Sequence, residues 1–174
     1  MRWIFPVMLV LVVVALGAVG YGHWTAGEIV TQPIAFNHNL HLTEAGMDCL
    51  NCHTDAKAAR FAGLPGKDAC FDCHDPDDMA DEGDDLHPEK AKLMSFADSD
   101  ADIPWQRVKR TAPHVYFSHR RHVTSAGMDC LECHVDQKQQ TEPPARSRLV
   151  MAMTDCIDCH EQKGANTDCL ACHR

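Results

Sequence analysis

The chain has 174 residues, 45% of them apolar but only 6% aromatic, with ten Cys, twelve His and a formal net charge of −9. That length allows one domain or two very small ones, and so few aromatics leave side chains short of closing a core by themselves. The acidic balance excludes a nucleic-acid binder, which needs a basic face.

The first element is an apolar run, MRWIFPVMLVLVVVALGAVGYGHW, in which Arg2 precedes an uncharged stretch from Trp3 to about Tyr21. About 20 apolar residues cross a bilayer as a helix. A signal-peptide core is shorter, roughly 7–15 residues, and ends at a small-x-small cleavage site. Residues 1–24 therefore read as an uncleaved transmembrane anchor, with a cleaved signal around Gly17-Ala18-Val19-Gly20 as the alternative. Arg2 and the α-amine would stay cytoplasmic, which predicts an inner (cytoplasmic) membrane location with the rest of the chain facing the periplasm. Trp3 at one end and Tyr21 with Trp24 at the other suit the two interfaces.

Residues 36–53, FNHNLHLTEAGMDCLNCH, return at 117–134 as FSHRRHVTSAGMDCLECH, matching at twelve of eighteen positions with an offset of 81. The repeat divides the exported part. A first module covers 25–74, a connector 75–104 and a second module 105–174. The connector holds eleven Asp/Glu and two Lys, a net of −9 equal to that of the whole chain. Pro88 to Phe96 predicts a short helix there, with Pro in its first turn. An acidic segment of this kind is either a solvated linker or a surface that steers a basic partner.

All ten cysteines fall into five C-x-x-C-H motifs: Cys49/Cys52/His53, Cys70/Cys73/His74, Cys130/Cys133/His134, Cys156/Cys159/His160 and Cys169/Cys172/His173. This is the attachment signature of c-type haem. Two intervening residues let both sulfurs reach the two vinyl groups of one porphyrin, and the adjacent His lies beneath the iron as proximal ligand. A disulfide scaffold shows varied spacings and does not place His after every second Cys. Zinc ribbons pair C-x-x-C units into four-coordinate sites, which five such motifs with five His do not suit. The composition thus predicts five covalently bound haem c, two in the first module and three in the second.

Seven His lie outside the motifs: His23, His38, His41, His87, His114, His119 and His122. His or Met can supply a second axial ligand. His38 and His41 stand at i, i+3, as do His119 and His122, which puts both rings on one side of a helical turn. His23 falls at the membrane edge and is set aside. F-x-H-x-x-H followed by C-x-x-C-H resembles the class III cytochromes, the c3 and c7 group. The resemblance implies that the first His of each block ligates the haem of the motif that follows, His38 with His53 and His119 with His134. It further implies that His41 and His122 reach haems of motif two, four or five, and that Phe36 and Phe117 pack on a porphyrin face. Four irons are then closed. For the fifth, Met153 is the favoured ligand, just ahead of the fourth motif, with Met151, His114 and His87 as alternatives. A thioether there would raise that haem's potential.

The wider order of features is QPIAFNHNLH at 32–41, DCLNCHTDA, AGLPGKDACFDCH, IPWQRV at 103–108, HVYFSHRRHV at 114–123 and MTDCIDCHEQ. It looks like the multihaem cytochrome subunit of alternative complex III and is similar to that of the related menaquinone reductase complex. Five motifs suit the former and the acidic connector the latter, whose group carries six haems. Either resemblance implies an iron–sulfur/molybdopterin-like partner subunit and a polytopic quinone-binding membrane subunit. A soluble basic cytochrome c would meet the acidic connector.

The expected fold is mostly irregular, with short α-helices, a haem-based c3/c7-like core and one N-terminal transmembrane helix. The expected function is electron transfer between the quinone pool and periplasmic cytochromes, with no bond chemistry by this chain alone. A free-standing periplasmic carrier is the first alternative. A multihaem reductase with an open iron is the second, and it needs one haem without a distal ligand.

Overall fold

The computed structural model describes residues 4–25, 29–146, 148–149 and 151–173. The leading helix is α1 (Ile4–Thr25), and the side chains described along it, at 7–18, 20 and 21, are exposed. The roles expected of Arg2, Trp3, His23 and Trp24 fall outside the described residues or side chains. Among the described residues no helix is long and apolar enough to cross a membrane. This overturns the expected transmembrane anchor, and with it the inner-membrane location and the periplasm-facing orientation. The expectation rested on the apolar composition of the run from Trp3 to Tyr21 alone.

The rest is irregular chain punctuated by short helices: α2 (Cys49–Cys52), α3 (Lys67–Phe71), α4 (Pro76–Asp81), α5 (Pro88–Met94), α6 (Met153–Lys163) and α7 (Cys169–Cys172). Two two-residue strands, β1 (Lys109–Arg110) and β2 (Arg148–Leu149), pair in parallel. Side chains close only a small interior. The buried apolar residues described are Ile34, Ala56, Met79, Leu93 and Ile103.

In each copy of the repeated block the histidine pair enters a π-helical turn, Leu40–Glu44 and Arg121–Ser125. The Ala45 N–H donates to Leu40 O and the Ala126 N–H to Arg121 O, both at 3.0 Å. An ordinary helical turn is the simplest reading of an i, i+3 pair. The wider turn forms instead, a form found mostly at functional sites. Gly46 (φ 65°) and Gly127 (φ 66°) then reverse the chain in the left-handed region, which only glycine enters without cost. Asp48 and Asp129 follow as N-caps, each accepting an N–H two residues on, from Leu50 and Leu131. Asn51 and Glu132 complete the capping boxes, so each motif starts on a fixed turn.

The two blocks hold each other. The Asn39 N–H donates to Gln140 O at 2.9 Å, and the Arg120 N–H donates to Ala59 O at 3.1 Å. Under the offset of 81 these are one and the same bond. Asn39 Nδ2 reaches Lys138 O and Thr124 Oγ1 reaches Lys57 O, both at 2.7 Å, and those carbonyls are again equivalent. Each block's turn therefore grips the segment that follows the other block's motif, an internal pseudo-two-fold arrangement.

The acidic connector is folded rather than extended. It forms α4 and α5, each with Pro in its first turn and capped by Asp75 and His87. Met79 and Leu93 from these helices bury against Ile34 and Ile103, with Phe71, Leu86, Phe96 and Trp105 around them. Polar clamps fix the same lobe. Gln32 Nε2 donates to Gln106 O at 2.6 Å and the Gln106 N–H donates to Gln32 Oε1 at 3.0 Å. The Ala35 N–H donates to Glu89 Oε2 at 2.6 Å, and Trp105 Nε1 to Pro65 O at 2.9 Å. QPIAF and IPWQ are thus the two sides of one buckle over α4 and α5. Asp77, Asp78, Asp81, Asp84 and Asp85 remain exposed on its outside.

Candidate haem sites

The histidines meet in pairs. His41 faces His74 with ring centroids 6.1 Å apart, His119 faces His134 at 6.5 Å, and His122 faces His160 at 6.2 Å. A metal–imidazole bond of about 2 Å on either side of one ion, plus the span from nitrogen to ring centre, puts two centroids roughly 6 Å apart. All three pairs have that spacing, and each joins an upstream His to the His of a C-x-x-C-H motif. His38 lies near His53, which, after burial, depresses its basicity.

The ring nitrogens are sorted by their other contacts. His41 Nδ1 bonds Asn37 O at 2.8 Å and His122 Nδ1 bonds Ser118 O at 2.9 Å, the same carbonyl in both blocks. His119 Nδ1 bonds Arg60 O, His53 Nδ1 bonds Gly63 O and His160 Nδ1 bonds Asn166 O, at 3.1, 2.9 and 2.7 Å. A carbonyl can only accept, so Nδ1 carries the hydrogen and Nε2 keeps its lone pair for a metal. Phe36 stacks on His41 (4.3 Å) and meets His38 edge-on (4.9 Å); Phe117 does the same to His122 (4.6 Å) and His119 (4.9 Å). In this structure the phenyl rings orient the histidine pairs. Burial pushes His38 and His134 down to about 4, and it lowers His119 and His74 as well. These imidazoles are neutral near pH 7, the form that binds a metal. His38 Nδ1 is buried with no hydrogen-bond partner.

The ten cysteines are unbridged, and their neighbours order the motifs in space. Burial raises Cys52, as do Cys49 and, from the second motif, Cys73; Cys70 is pushed up to about 11 by burial and by Cys52. Burial and Cys49 raise Cys130, placing motif one beside motif three. Burial and Cys159 raise Cys133, and burial, Asp155 and Cys172 raise Cys156. These neighbours link motif two with one, one with three, three with four and four with five. Among the described residues, no three or more His, Cys, Asp or Glu gather in a cluster that could hold a bare metal ion.

The remaining candidates part company. Met153 opens α6 and is 63% exposed; Met151 is half-buried. His87 Nδ1 accepts the Glu89 N–H at 3.2 Å as the cap of α5. His114 stacks on His173 with centroids 5.2 Å apart. The caps Asp48, Asp129 and Asp168 went unremarked in the sequence reading, although D-C-L opens three of the motifs. Arg60 was also missed, and nothing in motif spacing points to it. Its Nε donates to Phe117 O at 3.0 Å, and its guanidinium lies 4.4 Å over the Tyr116 ring.

Mutually facing imidazoles whose Nδ1 atoms bond backbone carbonyls, each pair beside a paired thiol motif, are a donor set that fits haem c. Residues 115–174 match the family model described as cytochrome c7 and related cytochrome c. Over those residues the chain is similar to the c7 group of multihaem cytochromes c, a likeness that its mostly irregular fold with short helices shares and that implies covalently bound haem c. It is similar to the multihaem cytochrome c subunit of menaquinone reductase from Nitratidesulfovibrio vulgaris, at 28% identity over 90% of this chain and 85% of that one.

Proposed function

We propose that this chain is the electron-transfer subunit of a quinone-oxidoreductase complex, carrying electrons through five haem c between the quinone pool and a soluble cytochrome. The single observation behind this reading is the unbroken spatial sequence of motifs with facing histidines. Haem c, when bound, supplies a one-electron Fe(III)/Fe(II) couple. The ten motif cysteines would attach the five groups, and His53, His74, His134, His160 and His173 would each hold an iron, with His38, His41, His119 and His122 as the further ligands. The name of the curated relative supports menaquinone as the quinone. It also supports partners of the kind the resemblance implies: an iron–sulfur/molybdopterin-like subunit and a quinone-binding membrane subunit. The exposed carboxylates of α4 and the Gly83–Asp85 turn, beside the second motif, suit a basic cytochrome c at that end. The division into a two-haem module, an acidic lobe and a three-haem module follows the same order.

The test is to purify the chain from its native cells, count haem per polypeptide and identify what accompanies it. Five haems and the two partner subunits are expected. A chain that purifies alone with its full haem content overturns the subunit reading in favour of a free-standing carrier.

A further inference from the structure

We propose that His114, and neither methionine, is the distal ligand of the haem at the fifth motif, opposite His173. This rests on the haem reading above. Backbone places it there. Val115 forms an antiparallel bridge with His173, and the Tyr116 N–H donates to Cys172 O at 2.7 Å. Val115 and Tyr116 therefore lie alongside the last two positions of the motif, and His114 sits in the turn that leads into this isolated bridge. That segment is held by Arg60, whose Nη2 donates to Val115 O at 3.4 Å and whose Nε donates to Phe117 O. The His114 and His173 rings are within 21° of parallel.

The spacing sets one requirement. The two rings are 5.2 Å apart and the tightest of the other three pairs is 6.1 Å, so the pair opens by 0.9 Å to admit an iron. His114 is exposed and precedes the bridge, so it moves without breaking a buried contact. Met153 begins a helix with its side chain largely in solvent. His87 is committed to capping α5 in the acidic lobe, which lies beside the second motif, at the opposite end of the sequence of motifs. With His114 in place, every motif has an imidazole opposite its own. No iron is left open for a substrate, and no thioether sets one site apart.

The experiment uses the haem-loaded chain and reads iron ligation by electron paramagnetic resonance and near-infrared magnetic circular dichroism. The unsubstituted protein is expected to show five low-spin bis-histidine irons and no sulfur-to-iron charge-transfer band. His114→Ala is expected to turn one iron in five high-spin, with added imidazole restoring it. His114→Met keeps a ligand in place if the alanine variant does not fold, and it is expected to create the sulfur-to-iron band and raise one potential. Met151→Leu, Met153→Leu and His87→Ala are expected to leave the spectra unchanged. A sulfur-to-iron band in the unsubstituted protein that Met153→Leu or Met151→Leu removes would overturn the assignment. So would His114 variants with all five irons unaltered. A haem count below five would instead strike at the haem reading itself.

Discussion

At the residue scale, His41 and His122 do two things with one ring: Nδ1 closes the turn on a carbonyl four residues back, and Nε2 faces another motif's histidine. The two histidine pairs themselves were legible, because they repeat in register with the cysteines; which motif each second histidine faces was not. Arg60 was not, because its worth lies in contacts 55 and 57 residues away. Hydrogen bonds from a charged donor contribute about 1.5–3 kcal/mol. Arg60→Ala is expected to cost about 2 kcal/mol in chemical denaturation of the haem-loaded chain. Arg60→Lys should recover little of it, since an ammonium lacks the planar fork. Glu89 gives a pH signature. The Lys92 ammonium and the Ala35 N–H hold its carboxyl below the ordinary carboxylate value. Its contribution is therefore full above that ordinary value and is lost as pH falls through the lowered one. Glu89→Gln should cost about 0.5 kcal/mol at neutral pH, and the gap from the unsubstituted chain should vanish at the acid end of a denaturation series. A gap that persists in acid would rule out the ionic origin.

At the scale of elements, the sequence reading placed one helix in the connector, at Pro88 to Phe96; the structure has two, α4 and α5. Pro76 and its Asp75 cap were a readable start, but the run of acids hid the single inward apolar residue, Met79. Met79 is 2% exposed, and truncating such a residue costs about 2–5 kcal/mol. Met79→Ala should speed hydrogen exchange throughout α4 and α5 while leaving α6 and α7 as protected as before. Uniform loss of protection would mean that the lobe is not a separate folding unit. The π-helical turns were beyond sequence reasoning, because i, i+3 histidines suit an α-turn equally well. The leading helix was over-read: its apolar composition was plain, but no described helix is long and apolar enough to span a bilayer.

At the scale of the molecule, the exposed acids gather at the end of the motif sequence that begins with motif two. Replacing Asp77, Asp78, Asp81, Asp84 and Asp85 with Asn should slow electron exchange with a basic cytochrome at low salt and flatten its salt dependence. The Debye length shrinks from about 30 Å at 0.01 M to about 8 Å at 0.15 M, so the two proteins should converge at the higher ionic strength. An unchanged rate at low salt would move the contact elsewhere. The mutual grip of the two blocks predicts a hierarchy of another kind. Removing the attachment cysteines Cys130 and Cys133 should disorder both halves. Removing Cys169 and Cys172 should disturb the C-terminal end alone, as read by circular dichroism and the remaining haem content.

The reciprocal bonds between Asn39 and Gln140 and between Arg120 and Ala59 have a further meaning for charge flow. Rotation about the pseudo-axis exchanges motif one with motif three, and a centre that maps onto itself has no intrinsic polarity. Whatever gives the conductor a forward and a backward sense must come from what the repeat does not duplicate. On one side that is a negatively charged lobe. On the other it is a fifth motif held by the single bridge between Val115 and His173. The middle of the molecule is a symmetric junction, and its direction is written at the ends.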